Sequence, residues 1–185
     1  MNILLIPGMN VDDPMRSIGK LKAPLEADGH EVHIAYYGDY NILEVRYERH
    51  RAIRLIKSFL PRVDALISHS NGGNYEDLAL KTEEHLPKRY RTFRIAPALN
   101  RTTPMPANVD NMVVMHSRGD GWVQLGALLP FRHRFGRMGS HGYKGPELGT
   151  RAFNLDWTNV YPDHSDPFHD EVIEFTLGEI RAWAA

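Results

Sequence analysis

Short apolar blocks rich in β-branched residues recur along this chain, and segments of helical length separate them. That alternation restricts the fold more than any other feature, because strands buried on both faces and joined by helical crossovers make a parallel sheet covered on both sides. The spacing predicts strands at 2–6, 31–37, 63–68, 91–96, 111–116 and 153–160, and helices at about 14–28, 42–60, 72–86 and 171–183. Asp28-Gly29 stops the first helix, and Pro61 closes the second. Between 42 and 60, Leu43, Tyr47, Ile53, Ile56 and Leu60 form an apolar stripe at helical spacing. Val172, Phe175, Ile180 and Trp183 give the last helix a face for docking on the sheet. The expected architecture is α/β: one domain over 1–185, with a mostly parallel sheet of about six strands and helices on both faces.

Charge and composition exclude several functions. With 22 Lys+Arg against 23 Asp+Glu, the net charge of -1 gives no field that would hold nucleic acid or an anionic membrane. The absence of cysteine rules out a disulfide framework, a thiolate metal site and a Cys nucleophile. The apolar run Ile3-Leu4-Leu5-Ile6 is too short for a secretory signal and follows no cationic start, and no other run suits a membrane span. A cytoplasmic protein without membrane insertion is the expectation. The dense cluster from Asp163 to Asp170 offers metal-ligand types, but Pro167 interrupts helical ligand spacing, so no metal and no cofactor are expected. His169 reads as a helix-start residue, and His69 and His141 as polar surface residues.

One stretch breaks the rhythm. Residues 122–150 carry six glycines and the basic cluster Arg132, His133, Arg134 and Arg137, with room for a short helix at about 123–132. So long an interruption suits a lid or insertion. Trp122, Leu125 and Met138, with Leu128, Leu129, Phe131 and Phe135, give it an apolar side that suits a substrate pocket or ordinary core equally. Arg132, Arg134 and Arg137 either attract an anionic group or face water.

The chemistry-bearing motif lies where the third predicted strand ends, at Ser68-His69-Ser70-Asn71-Gly72-Gly73. A nucleophile held in a tight strand-to-helix turn needs small residues two before and two after it, which Ser68 and Gly72 supply around Ser70. Serine and glycine at such a junction also make helix caps and phosphate-cradling turns. The pattern is S-x-S-x-G where G-x-S-x-G is usual.

With these residues in view, the chain resembles the α/β-hydrolase superfamily, in particular its small single-domain serine hydrolases, over almost its full length. The resemblance implies the order nucleophile, acid, base. Ser70 stands as nucleophile, and Asp120, in Gly119-Asp120-Gly121-Trp122-Val123, as acid. His164, in Tyr161-Pro162-Asp163-His164-Ser165-Asp166, stands as base. Gly-Asp-Gly also makes plain turns, and Asp110 and Asp156 are the fallback carboxylates. Ile3 to Asn10 is similar to the strand and turn that supply one oxyanion-hole amide, here Met9 N–H, and Asn71 N–H is the second. The function implied is hydrolysis of a small-molecule carboxylic ester, or of a thioester or amide, by way of an acyl-enzyme. The alternative is an inactive member of the fold acting as a binding or interaction module, marked by a displaced triad.

Overall fold

Neighbouring side chains along each inner strand point to opposite faces of the sheet, and both faces are apolar. Leu4, Ile6 and Leu66 face one side, where they pack with Ala52, Ile56, Tyr75, Ala79 and Leu80. Ile3, Leu5, Ala65, Ile67, Phe93 and Ile95 face the other and pack with Leu25, Val172, Leu177 and Ile180. Two-sided burial of this kind belongs to parallel sheets, whose crossover helices cover both faces.

The computed structural model describes residues 1–39, 44–85, 87–126, 136–160, 164 and 167–184, without the side chains of 45–47, 125, 126 and 184. Its strands are β1 (Asn2–Ile6), β2 (Glu31–Ile34), β3 (Ala65–His69), β4 (Tyr90–Ile95), β5 (Val109–His116) and β6 (Ala152–Asp156). They form one all-parallel sheet in the order β2-β1-β3-β4-β5-β6. The helices are α1 (Lys22–Ala27), α2 (Val45–Phe59), α3 (Gly72–Thr82), α4 (Gly121–Gly126), α5 (Met138–His141) and α6 (Asp170–Ala184). The core contacts put α2 and α3 on one face and α1 and α6 on the other. Strand order reverses between β1 and β3, and in such sheets the crevice beyond the carboxyl ends of the strands at the reversal is where ligands bind. Ile6 is paired with Ser68 at that point, so the turn after β1 and the turn after β3 lie side by side.

Several predicted bounds shift for local reasons. The helix expected at 14–28 is two 3-10 turns, at 14–16 and 18–21, followed by the short α1. Asp13 accepts from Met15 N–H at 2.9 Å to cap the first turn, and Ser17, at φ -126° and ψ -119°, interrupts the helical path. β6 stops at Asp156 and not at 160, because Asp156 Oδ1 takes the Thr158 N–H at 3.1 Å and turns the chain. In the stretch expected to be a lid or insertion, α5 is stitched across the ends of β4 and β5. Gly139 N–H donates to Pro97 O at 2.8 Å, and Ser117 N–H donates to Gly139 O at 2.9 Å. Residues 127–135, including Arg132, Arg134, Phe131 and Phe135, lie outside the described residues. Among the described residues no helix is long and apolar enough to cross a membrane.

Candidate active site

The site grows from the end of β3. Ser70 follows the strand directly and adopts φ 52°, a left-handed conformation that costs a non-glycine residue roughly 1–3 kcal/mol unless its surroundings impose it. They do so through backbone bonds: Ser70 N–H donates to Ile95 O at 3.0 Å, and Ser70 O accepts from Ala98 N–H at 3.1 Å and Gly73 N–H at 3.2 Å. The turn admits no side chain at 72. A Cβ on Gly72 would sit 2.4 Å from Pro7 O and 2.6 Å from Ile6 O. Across the crevice, a Cβ on Gly8 would approach the Ser70 Cβ to 3.1 Å, so the turn after β1 lies directly against the serine. The buried Tyr37 hydroxyl donates to Pro7 O and pins that turn from behind.

Asp120 enters from the loop after β5. It is fully buried, and Oδ1 accepts from Val123 N–H at 3.0 Å at the start of α4. Its other oxygen, Oδ2, lies 2.7 Å from His164 Nδ1. His164 Nε2 lies 2.8 Å from Ser70 Oγ. A carboxylate only accepts, so Nδ1 carries the imidazole proton, and Nε2 is left to accept from the serine hydroxyl. The three residues named from the sequence thus form one continuous hydrogen-bonded chain. Of the fallback carboxylates, Asp110 is exposed and 3.8 Å from Arg89, while Asp156 holds Thr158 and faces Arg118 at 3.4 Å.

Of the two predicted backbone donors, Asn71 follows Ser70 directly, and Met9 follows Gly8, at which a Cβ would lie 3.1 Å from the Ser70 Cβ. Asn71 is the N-cap residue of α3, and its side-chain oxygen accepts from Asn74 Nδ2 at 2.9 Å. Met9 is partly buried against the core. Neither backbone N–H has an acceptor among the described residues. The predicted apolar contacts are scattered: Trp122 is 64% exposed on α4, Met138 is fully buried in the core, and the Leu125 side chain lies outside the described residues.

Two features escaped the sequence reading. His69 is not a surface residue: it is buried, its ring stacks on His164, and Phe168 meets it edge-on. Beneath the elbow lies a buried ion pair, with Arg94 Nε 3.0 Å from Glu76 Oε1 and Arg94 Nη2 3.6 Å from Asp77 Oδ1. Burial pushes the Glu76 carboxyl up from its ordinary value, opposed by the Arg94 charge and by the Ser68 hydroxyl nearby. An arginine between Phe93 and Ile95, in a strand whose other apolar positions read as buried, was the available signal, since an unpaired charge does not survive there.

No family model and no curated protein matches the sequence. A solved structure from Xanthomonas campestris pv. campestris, provisionally called a hydrolase of the alpha/beta superfamily, matches over 98% of each chain with a TM-score of 0.57 at 14% identity. The likeness is one of fold. With the six-stranded all-parallel sheet and its helices, it identifies the architecture as the α/β-hydrolase fold.

Proposed function

We propose that this protein is a serine hydrolase that cleaves a small-molecule carboxylic ester through an acyl-enzyme on Ser70. The observation that carries the reading is the chain Ser70 Oγ–His164–Asp120, with links of 2.8 and 2.7 Å, at the carboxyl edge where the strand order reverses. A displaced triad would mark a non-catalytic module, and these distances are those of a connected one.

In this reading Ser70 Oγ attacks the ester carbonyl carbon while its proton passes to His164 Nε2. Asp120 holds the tautomer and stabilises the imidazolium. The carbonyl oxygen becomes an oxyanion facing the Met9 and Asn71 N–H groups, and each such donor is worth about 10²–10³ in rate. Collapse breaks the C–O bond, and the leaving alcohol takes the proton back from His164. Water then repeats the sequence on the acyl-enzyme, releasing the acid and restoring Ser70. The burial of Asp120 supports its assignment, because a carboxylate with both oxygens committed is fixed in one orientation. Ester is favoured over amide because an alkoxide leaves more readily than an amide nitrogen.

The test is labelling with a fluorophosphonate probe alongside turnover of a short p-nitrophenyl ester. Wild type is expected to label and turn over, and Ser70→Ala and His164→Ala to do neither. A folded wild-type protein that stays unlabelled and inert would reduce the assignment to a shared fold.

A further inference from the structure

We infer that His69 is a positioning residue, a flat stop against which the His164 ring rests so that it can hold Ser70 and Asp120 at once. The inference rests on the reading of Ser70 and His164 given above. His69 is 8% exposed, and both of its ring nitrogens are buried without a hydrogen-bond partner among the described residues. A neutral imidazole must carry one N–H, so the position holds a buried donor that no described residue satisfies. An aliphatic side chain would remove that penalty, and packing alone would therefore favour one.

What an aliphatic chain lacks is a face. The His69 and His164 rings lie 5.1 Å apart between centroids, with 28° between their planes. Phe168 also meets the His69 ring, edge-on at 5.1 Å and 79°. The turn after β1 is also close by: a Cβ on Gly8 would lie 3.5 Å from His69 Nδ1, and the bare glycine leaves that side open to the ring. His164 must meet Oγ at 2.8 Å with one nitrogen and Oδ2 at 2.7 Å with the other, and a ring free to rotate about χ2 loses both together. Burial, and next the neighbouring imidazole, push the His69 pKa well below its ordinary value. The stop thus stays uncharged while His164 takes the serine proton, and does not oppose the imidazolium.

The experiment compares His69→Ala, His69→Leu and His69→Phe by three readouts. These are the second-order rate of fluorophosphonate labelling, the His164 tautomer from its long-range ¹H–¹⁵N correlations, and stability in urea. Misplacement of a reacting group by about 1 Å costs on the order of 10²-fold in rate. His69→Ala and His69→Leu are therefore expected to label about 30- to 100-fold more slowly and to lose the single Nδ1–H tautomer. His69→Phe keeps the flat face and should stay within about fivefold on the same reasoning. A merely structural role predicts labelling that follows urea stability, with Leu as good as Phe. The inference is overturned if His69→Leu labels like wild type, or if His69→Phe falls as far as His69→Ala. Should wild type itself not label, the Ser70 reading fails, and the tautomer decides alone: retained in Phe and lost in Leu upholds the stop, unchanged in all three refutes it.

Discussion

Arg94 offers the sharpest test of what holds the elbow in place. It stands beside Ser68 in the sheet register, is 1% exposed, and faces Glu76, which is fully buried. Arg94→Met removes the charge while keeping most of the volume. It leaves the Glu76 carboxyl buried without the guanidinium that faces it at 3.0 Å. Breaking a buried pair from one side costs about 3–5 kcal/mol, a large share of the roughly 5–15 kcal/mol that keeps a domain folded. With a urea slope of about 2 kcal/mol/M, the midpoint should fall by about 2 M. Replacing both partners, Arg94→Met with Glu76→Met, should recover most of the loss, since apolar substitutes for a buried pair are often neutral or better. The single variant should also depend on pH. Burial already raises the folded-state pKa of Glu76 above its unfolded value. Folding therefore takes up a proton in that window, and the deficit of Arg94→Met should shrink as pH falls from 7.5 to 5.5. Urea titrations of Arg94→Met, Glu76→Met and the double variant at both pH values provide the measurement. A single-variant loss under about 1 kcal/mol, a double loss equal to the sum of the singles, or a deficit that grows on acidification would refute the reasoning.

Three further outcomes are expected. Burial holds the folded-state pKa of His69 well below the ordinary histidine value of about 6.5, so its contribution to stability is full above that pH and is lost below it. Between pH 7.5 and 5 that loss is up to about 2 kcal/mol, and it should appear as the pH-dependent part of the urea stability difference between wild type and His69→Phe, which lacks the group. Gly72→Ala would place a Cβ 2.4 Å from Pro7 O, so it should abolish labelling and lower the melting temperature together, whereas the exposed Gly121→Ala should do neither. Asp120→Asn should lower ester turnover by about 10⁴-fold while circular dichroism stays unchanged, because the wrong His164 tautomer is then favoured.

The sheet was legible in the sequence because both of its faces are buried, so inner strands carry apolar runs such as Ile3 to Ile6 or Met112 to Met115. The Ser70 turn was legible because positive φ beside a close backbone contact limits which residues can occupy 68, 70 and 72. Asp120 and His164 came from the order of short motifs, and their meeting with Ser70 depends on long-range folding that spacing alone does not fix. What escaped notice was set by tertiary packing. His69 sits in a polar-looking motif yet is covered by Phe168 from far along the chain. The broken helix before α1 looked continuous because composition does not show that Ser17 leaves the helical region.

β1 comes first in the chain, yet it lies inside the sheet with a partner on each edge, Glu31 beside Asn2 and Ala65 beside Ile3. During synthesis, Ile3-Leu4-Leu5-Ile6 must therefore wait for its second neighbour until the whole of α2 and most of β3 have left the ribosome. A nascent chain halted before that point carries a bare apolar strand with an open edge, the kind of surface that pairs with other chains. Yield in the cell should accordingly follow how quickly translation passes Ala65, and slow codons between α2 and β3 should send more of this protein to aggregates than slow codons after β5.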